Sequence, residues 1–233
     1  MSELLSVDMD TGVTTITMND GKANVLSTLM ITELNTAFDR AEKQDAIVIL
    51  TGRSGMFSGG FDLGEMQAGP KEAMVLISRG SELARRILAF PRPVILASTG
   101  HTIAMGAFLA LACDYRIIAE GNFKIGLNET QIGMTMHNFG LALARYRLPR
   151  TYFNRCVINA EIFNPRDAVQ AGFFDRTVPA EQLPAAGSTA AQMFAQLNRD
   201  AFCNTKIRSR KAIFAILDQA IKDDLDPEKI HAV

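Results

Sequence analysis

Val94-Ile95-Leu96-Ala97-Ser98, then Thr99-Gly100-His101-Thr102-Ile103-Ala104, then Met105-Gly106-Ala107-Phe108-Leu109-Ala110-Leu111-Ala112 is the stretch that decides the fold class. The apolar run from Val94, entered through Pro91-Arg92-Pro93, predicts a strand. The run from Met105 to Ala112 has no polar side, so the helix it predicts is buried all round. A strand feeding a buried helix is α/β construction. The junction also has chemical value, because the first N–H groups of a helix have no intrahelical acceptor and the dipole there favours negative charge.

Working outward, Leu4 to Met9 and Val13 to Met18 alternate in the strand manner around Asp10-Thr11-Gly12 and predict a β-hairpin. Asn19-Asp20-Gly21-Lys22 breaks the chain, and Ser27 can cap a helix with Met30, Leu34, Ala37, Phe38 and Ala41 on one face. Ala46 to Leu50 is a continuous apolar strand, and a helix over Lys71 to Phe90 leads back to the opening stretch. Downstream come strands at Tyr115 to Ile118 and Phe123 to Ile125, helices near Phe139 to Tyr146, Thr151 to Val157 and after Pro165, and a strand from Phe173 to Val178. Beyond Pro179 the pattern is wholly helical to Lys222. The expected organisation is therefore a core over 1–178 and a C-terminal helical region over 179–233, with Asp223 to Val233 frayed. No internal repeat or flexible linker is visible.

At 233 residues the chain is long enough for a sizeable core. Lys+Arg 24 against Asp+Glu 25 gives a net charge of −1, which carries no signature of a nucleic-acid binder. Cys113, Cys156 and Cys203 are far apart and lack CxxC spacing, which argues against a disulfide framework or structural zinc and for a reducing, cytoplasmic setting. The opening residues Met1-Ser2-Glu3-Leu4-Leu5-Ser6-Val7-Asp8 show no basic run, so no targeting peptide is expected, and the apolar run from Ile103 to Cys113 is too short to cross a bilayer. The expectation is a soluble protein acting away from membranes.

Two further segments carry candidate chemistry. Met56-Phe57-Ser58-Gly59-Gly60-Phe61-Asp62-Leu63 follows a buried strand, and its paired glycines allow either a tight turn or close backbone approach to a ligand. It is no phosphate loop, lacking the Gly-Lys-Ser/Thr ending, and no dinucleotide fingerprint. With the Met105 helix start it makes two backbone donor sites, each after an apolar strand, suited to an oxygen that becomes an anion during reaction. Ile125-Gly126-Leu127-Asn128-Glu129-Thr130-Gln131-Ile132-Gly133 places a lone carboxylate on a loop after a strand-like run. On these residues alone Glu129 is either a solvated loop acid or a catalytic one.

Together, Met56 to Met66 (MFSGGFDLGEM), Cys113-Asp114-Tyr115-Arg116-Ile117 and the IGLNETQIG run resemble the crotonase superfamily of enoyl-CoA hydratases and isomerases, over nearly the whole chain. Asn24-Val25-Leu26-Ser27 resembles the family's entry to its first helix, and Asn204-Thr205-Lys206 a C-terminal segment whose lysine approaches the CoA nucleotide. The IGLNETQIG run resembles that of mitochondrial 3,2-trans-enoyl-CoA isomerases. The resemblance implies a spiral of ββα units with a C-terminal helical oligomerisation region, and a homotrimer or hexamer. It further implies an oxyanion hole from the N–H groups of Phe61 and Met105, and Glu129 as acid/base.

The family's hydratases carry a second glutamate on the buried helix, where this chain has Phe108. Hydration needs a water held by two carboxyl groups, whereas one base can move a double bond. The implied activity is therefore conversion of 3-enoyl-CoA to 2-enoyl-CoA in fatty-acid β-oxidation or related degradation, with Phe108 keeping water from the intermediate. Hydration is the alternative, with Asp62 or Glu65 as the missing carboxylate, and a non-catalytic acyl-CoA-binding protein is a third reading. Met105 stands where the family has glycine, so its side chain is expected near the acyl pocket; Thr99 and His101 also depart, His101 being read as structural. Gly59 and Gly60 line the expected substrate site. Lys22 and Lys206 are the expected cations for the CoA phosphates, and backbone near Ala23 and Phe61 is expected to hold the adenine. No metal or redox cofactor is called for, CoA being part of the substrate.

Overall fold

The computed structural model describes residues 4–226. Leu5–Asp10 (β1) and Val13–Met18 (β2) form the expected antiparallel hairpin. Ser27 accepts the Met30 N–H at 3.1 Å and caps α1 (Thr28–Lys43), whose predicted apolar face is buried throughout. β3 (Ile47–Gly52) and β4 (Gly55–Ser58) lead through a single turn, α2 (Leu63–Met66), into α3 (Pro70–Ala89). The unit then recurs: β5 (Val94–Ser98) and β6 (Gly100–Ile103) precede α4 (Met105–Ala112), and β7 (Tyr115–Ala119) and β8 (Ile125–Gly126) precede α5 (Asn138–Arg147). α6 (Arg150–Phe153), α7 (Pro165–Gln170), β9 (Arg176–Val178), α8 (Leu183–Ala195) and α9 (Arg199–Asp224) complete the described chain.

From β3 onward each ββα unit sends its first strand to one sheet and its second to another, whereas β1 and β2 both belong to the larger sheet. The larger sheet has the order β1-β2-β3-β5-β7-β9, parallel after the hairpin, and the smaller is the parallel set β4-β6-β8. This is the crotonase spiral. The strands read as unbroken apolar runs because both faces of the large sheet are covered. Val48, Leu50, Val94, Leu96 and Ile118 join the main core with α1, α3 and α4. Ile47, Ile49, Ile95, Ala97, Ile117 and Ala119 face Leu183, Ala186, Ala190 and Ala191 of α8.

The C-terminal helices thus cover the fold from two sides: α8 packs on β3, β5 and β7 and completes a second buried cluster there, and α9 packs on α3 and α5 and joins the main core. Every residue of α4 is buried, as its all-apolar sequence requires. Several boundaries differ from expectation, among them β8, which is Ile125–Gly126 rather than Phe123 to Ile125, and β4 and β6, which pair as strands where only turns and a helix junction were expected. Of the run from Phe173, only Arg176–Val178 pairs as strand, because Phe173 and Phe174 turn into the core ahead of it. The helix from residue 150 widens into a π turn at Asn154–Ile158. Asp223 and Asp224, expected to fray, belong to α9, and the buried Asp224 carboxylate accepts the N–H groups of Asn138 at 2.7 Å and Phe139 at 2.9 Å, capping α5. The remainder of that segment, 227–233, lies outside the described residues. Among the described residues no helix is long and apolar enough to cross a membrane.

Candidate active site

The chain after β4 pairs briefly with the entry to α1: Leu26 N–H donates to Gly60 O at 2.8 Å and Asp62 N–H to Leu26 O at 3.4 Å. Successive N–H groups on an extended chain point to opposite sides, so this pairing turns the Phe61 N–H away from Leu26. Ala104, at φ 50° and ψ −123°, donates its N–H to Gly126 O at 2.9 Å and starts α4 with Met105 as its first residue. A non-glycine residue there costs about 1–3 kcal/mol and is retained where it aims something useful. What it aims is the Met105 N–H. Among the described residues neither the Phe61 nor the Met105 N–H has an acceptor. Gly60, at φ +99°, lets the two segments touch: a Cβ on it would lie 2.8 Å from Ala104 Cβ and 3.5 Å from Met105 N.

This arrangement is braced from behind by Asn24, fully buried at φ 48°. Its Nδ2 donates to the carbonyls of Met18 (3.0 Å), Met56 (3.1 Å) and Phe57 (3.0 Å), and its own carbonyl accepts the Ser58 hydroxyl at 2.8 Å. Ser58 Oγ in turn accepts the Gly60 N–H at 3.2 Å. The Asn24 motif therefore positions the first donor.

Glu129 stands at the head of a single 3-10 turn, Thr130–Ile132, closed by Gly133 in the left-handed conformation. It is 7 % exposed, and its Oε2 has no hydrogen-bond partner among the described residues. Burial pushes its carboxyl from the ordinary 4.5 up to about 7. A carboxyl poised there exchanges protons readily at neutral pH. Glu129 shares a mainly apolar cavity of about 140 Å³ with Gly59, Phe61, Leu63, Met66, Ile77 and Ala104, and with Asn128, Ile132, Met134, Thr135 and His137. The solvated-loop reading of Glu129 therefore does not hold.

Several expected residues stand elsewhere. Asp62 caps α2 through the Glu65 N–H at 3.0 Å, and the Glu65 carboxylate accepts the Thr28 N–H at 3.1 Å and its hydroxyl at 2.7 Å, so neither supplies the cavity with a second acid. Phe108 does not line the cavity: it is wholly buried behind His137, ring centroids 5.4 Å apart. The Met105 side chain does not line the cavity either. Like the Phe61 ring, it packs beside Gly80, where a Cβ would meet Phe61 Cε1 at 2.5 Å and Met105 Cε at 3.5 Å. His101 is structural as expected, its Nδ1 accepting the Lys124 N–H at 3.0 Å.

Lys22 is exposed beside the Asn24 turn, and Ala23 accepts the Gly59 N–H at 2.8 Å, which puts both at the rim of the first donor loop. Arg53, which the sequence reading passes over, donates its Nε to the Lys22 carbonyl at 2.6 Å and adds a second cation there. Lys206 does not present its ammonium to a ligand: it is 6 % exposed, with Nζ 2.6 Å from Asp114 Oδ2, and Arg210 binds the other oxygen of that carboxylate at 3.0 Å. A lone lysine in a helix gives no sign of such a partner 92 positions away.

Two backbone N–H groups without acceptors among the described residues and one buried acid beside a shared cavity, on this spiral, are the arrangement that the crotonase resemblance implies. The chain matches the family model for enoyl-CoA hydratase/isomerase over residues 8–226 and belongs to that family. An enoyl-CoA hydratase/isomerase family protein from Pseudomonas syringae has the same fold, with a TM-score of 0.94 and 48% identity over 96% of this chain and 97% of that one. A probable enoyl-CoA hydratase of Bacillus subtilis is 34% identical over 134 residues, 56% of this chain and 52% of that protein. The human mitochondrial enoyl-CoA delta isomerase 1 is 29% identical over 214 residues, 90% of this chain and 71% of that protein.

Proposed function

We propose that the protein is an enoyl-CoA isomerase that shifts a 3-enoyl-CoA double bond to 2-enoyl-CoA in fatty-acid metabolism. The observation that carries the reading is that, among the described residues, the cavity lining holds a single carboxyl group, Glu129. That carboxylate removes a proton from carbon 2, the charge passes to the thioester oxygen facing the Phe61 and Met105 amides, and the same carboxyl returns the proton to carbon 4. Each half-step needs one base and an oxyanion site, and no second acid. The apolar walls formed by Leu63, Met66, Ile77 and Ile132 suit the acyl chain. In a complex with an unreactive acyl-CoA, the thioester oxygen is expected about 3 Å from both amide nitrogens. A bound structure with either amide turned away sinks the oxyanion assignment.

The exposed Lys22 and neighbouring Arg53 are the cations best placed for the CoA phosphates, and backbone near Ala23 for the adenine. Such a reaction asks for no metal or redox cofactor. Exposed Met193 and Leu197 near the end of α8, and Ile207 and Ile216 on α9, support assembly through the C-terminal helices into a homotrimer or hexamer. Free Cys113, Cys156 and Cys203 suit a reducing cytoplasm.

The test is a direct comparison of matched substrates. Conversion of 3-enoyl-CoA to 2-enoyl-CoA is expected to run at least tenfold faster than addition of water to the 2-enoyl-CoA of the same chain length. Hydration without measurable isomerisation, across short, medium and long chains, rejects the reading.

A further inference from the structure

Gly80 is buried in the middle of α3, a position where glycine is the least favourable residue after proline. Its neighbour supplies the reason for it. A Cβ on Gly80 would lie 2.5 Å from Phe61 Cε1 and 2.6 Å from Phe61 Cζ, so the glycine is what lets the edge of that ring rest against the helix. The space beside it is filled, with Met105 Cε 3.5 Å from the same point. Phe61 is both a wall of the cavity and the residue whose amide is the first donor. Ile77, three residues before Gly80 and so on the same side of α3, lines that cavity too. The seat of Phe61 on Gly80 therefore fixes how much room the cavity has on its α3 side.

That room is small. The cavity measures about 140 Å³, and an apolar cavity of about 150 Å³ holds one benzene, a group of six carbons. Two of its lining residues reach the surface, Leu63 at 59 % and Ile132 at 51 % exposure, so a longer chain leaves the enclosed space over a rim that stands in water. We propose that the Phe61 ring, seated on Gly80, gauges the acyl group and makes the protein selective for short chains of about six carbons. Gly80 is then a specificity-determining residue that acts through Phe61 without touching substrate. Each methylene buried in the cavity is worth about fourfold in binding, whereas one lying beyond the rim adds little. An alanine at position 80 forces the ring edge back by about an ångström, to the ordinary carbon–carbon contact of about 3.5–4.0 Å. Met105 closes one side, so the ring yields into the cavity that it lines. The Phe61 amide is held by the backbone pairing of Gly60 and Asp62 with Leu26, and the ring can move without it.

The inference rests on the cavity as the acyl site of the preceding section, and two chain-length series separate its failure from that of the isomerase reading. Isomerisation is measured with 3-enoyl-CoA of four, six, eight and twelve carbons, and binding with the saturated acyl-CoA of each length. The proteins are wild type, Gly80→Ala, Phe61→Leu and the double variant, each with a thermal melt. Wild type is expected to gain at least tenfold in kcat/KM from four to six carbons and less than threefold from eight to twelve. Gly80→Ala should act on the four-carbon substrate within threefold of wild type and lose more than tenfold on six and eight carbons, mainly through KM. Phe61→Leu, which lacks the ring edge, should carry the gain on to longer chains. The double variant should follow Phe61→Leu, because the alanine then meets no ring. A purely structural role for Gly80 would shift every length alike and would not be relieved by Phe61→Leu. Should Gly80→Ala fail to fold, Phe61→Leu carries the test, and a length profile unchanged in it rejects the gauge. Affinity and kcat/KM that keep rising through twelve carbons in wild type, or a Gly80→Ala effect equal at all lengths, overturn the proposal and leave the isomerase reading standing. The expected limit in the binding series without any isomerisation overturns the isomerase reading and supports the gauge.

Discussion

Glu129→Gln is expected to lower turnover of 3-enoyl-CoA by on the order of a hundredfold to ten-thousandfold, the range for a positioned acid/base, while fold and acyl-CoA binding persist. The amide fills the same space but neither takes nor returns a proton. Near-normal turnover would remove Glu129 from the mechanism. The same carboxyl sets two pH dependences. The reaction starts from the carboxylate, so wild-type kcat/KM should fall about tenfold per pH unit below about 7, where burial has placed the Glu129 pKa. Stability should move the opposite way. With its pKa raised from 4.5 to about 7 on folding, the native state binds more protons than the unfolded state between those values. Wild type therefore loses stability as pH rises through that window, by about 3 kcal/mol at most. Glu129→Gln has no such group and should become the more stable protein as pH passes from 5 to 8. The His137 imidazole, which burial holds down to about 4, is common to both and drops out of the difference. Melts that run parallel across that range would show that Glu129 is not desolvated.

Gly60→Ala is expected to reduce kcat/KM by on the order of a hundredfold to a thousandfold, comparable to the loss of one oxyanion donor. The new methyl would meet Ala104 Cβ at 2.8 Å, and φ +99° is strained for any side chain. Relief requires the Phe61 and Ala104 segments to separate, and an ångström of misplacement at a reacting centre already costs about a hundredfold. The defect should fall mainly on kcat, because the amides hold the charged intermediate more strongly than the ground-state thioester. An activity within threefold of wild type would mean that the donors do not depend on this contact. A melting temperature a few degrees lower would accompany the loss, from the strain of an alanine held at positive φ.

By itself the sequence determined the alternation of strands and helices, the buried α4, the hairpin and the Ser27 cap. Each follows from interactions within a few residues, periodicity against a buried face or a side chain reaching its own helix start. It also placed Glu129 on a loop and the two donor segments after strands, because turn residues and strand runs are local signals too. Tertiary structure alone decided the state of those groups. Glu129 stands in a polar-looking stretch, and only its enclosure with Phe61, Leu63 and Ile77 from distant segments strips it of water and raises its pKa. The family pattern pointed to Phe108, but the packing of α4 against α5 sets His137 between that ring and the cavity. Along the chain Lys206 reads as a free cation, yet α9 carries it to Asp114, and Asp62 and Glu65 read as spare acids, yet they hold helix starts. Burial, pairing and aim depend on which segments meet in space. Composition and spacing along one chain carry no record of that meeting, which is why the elements were legible and the chemistry of their side chains was not.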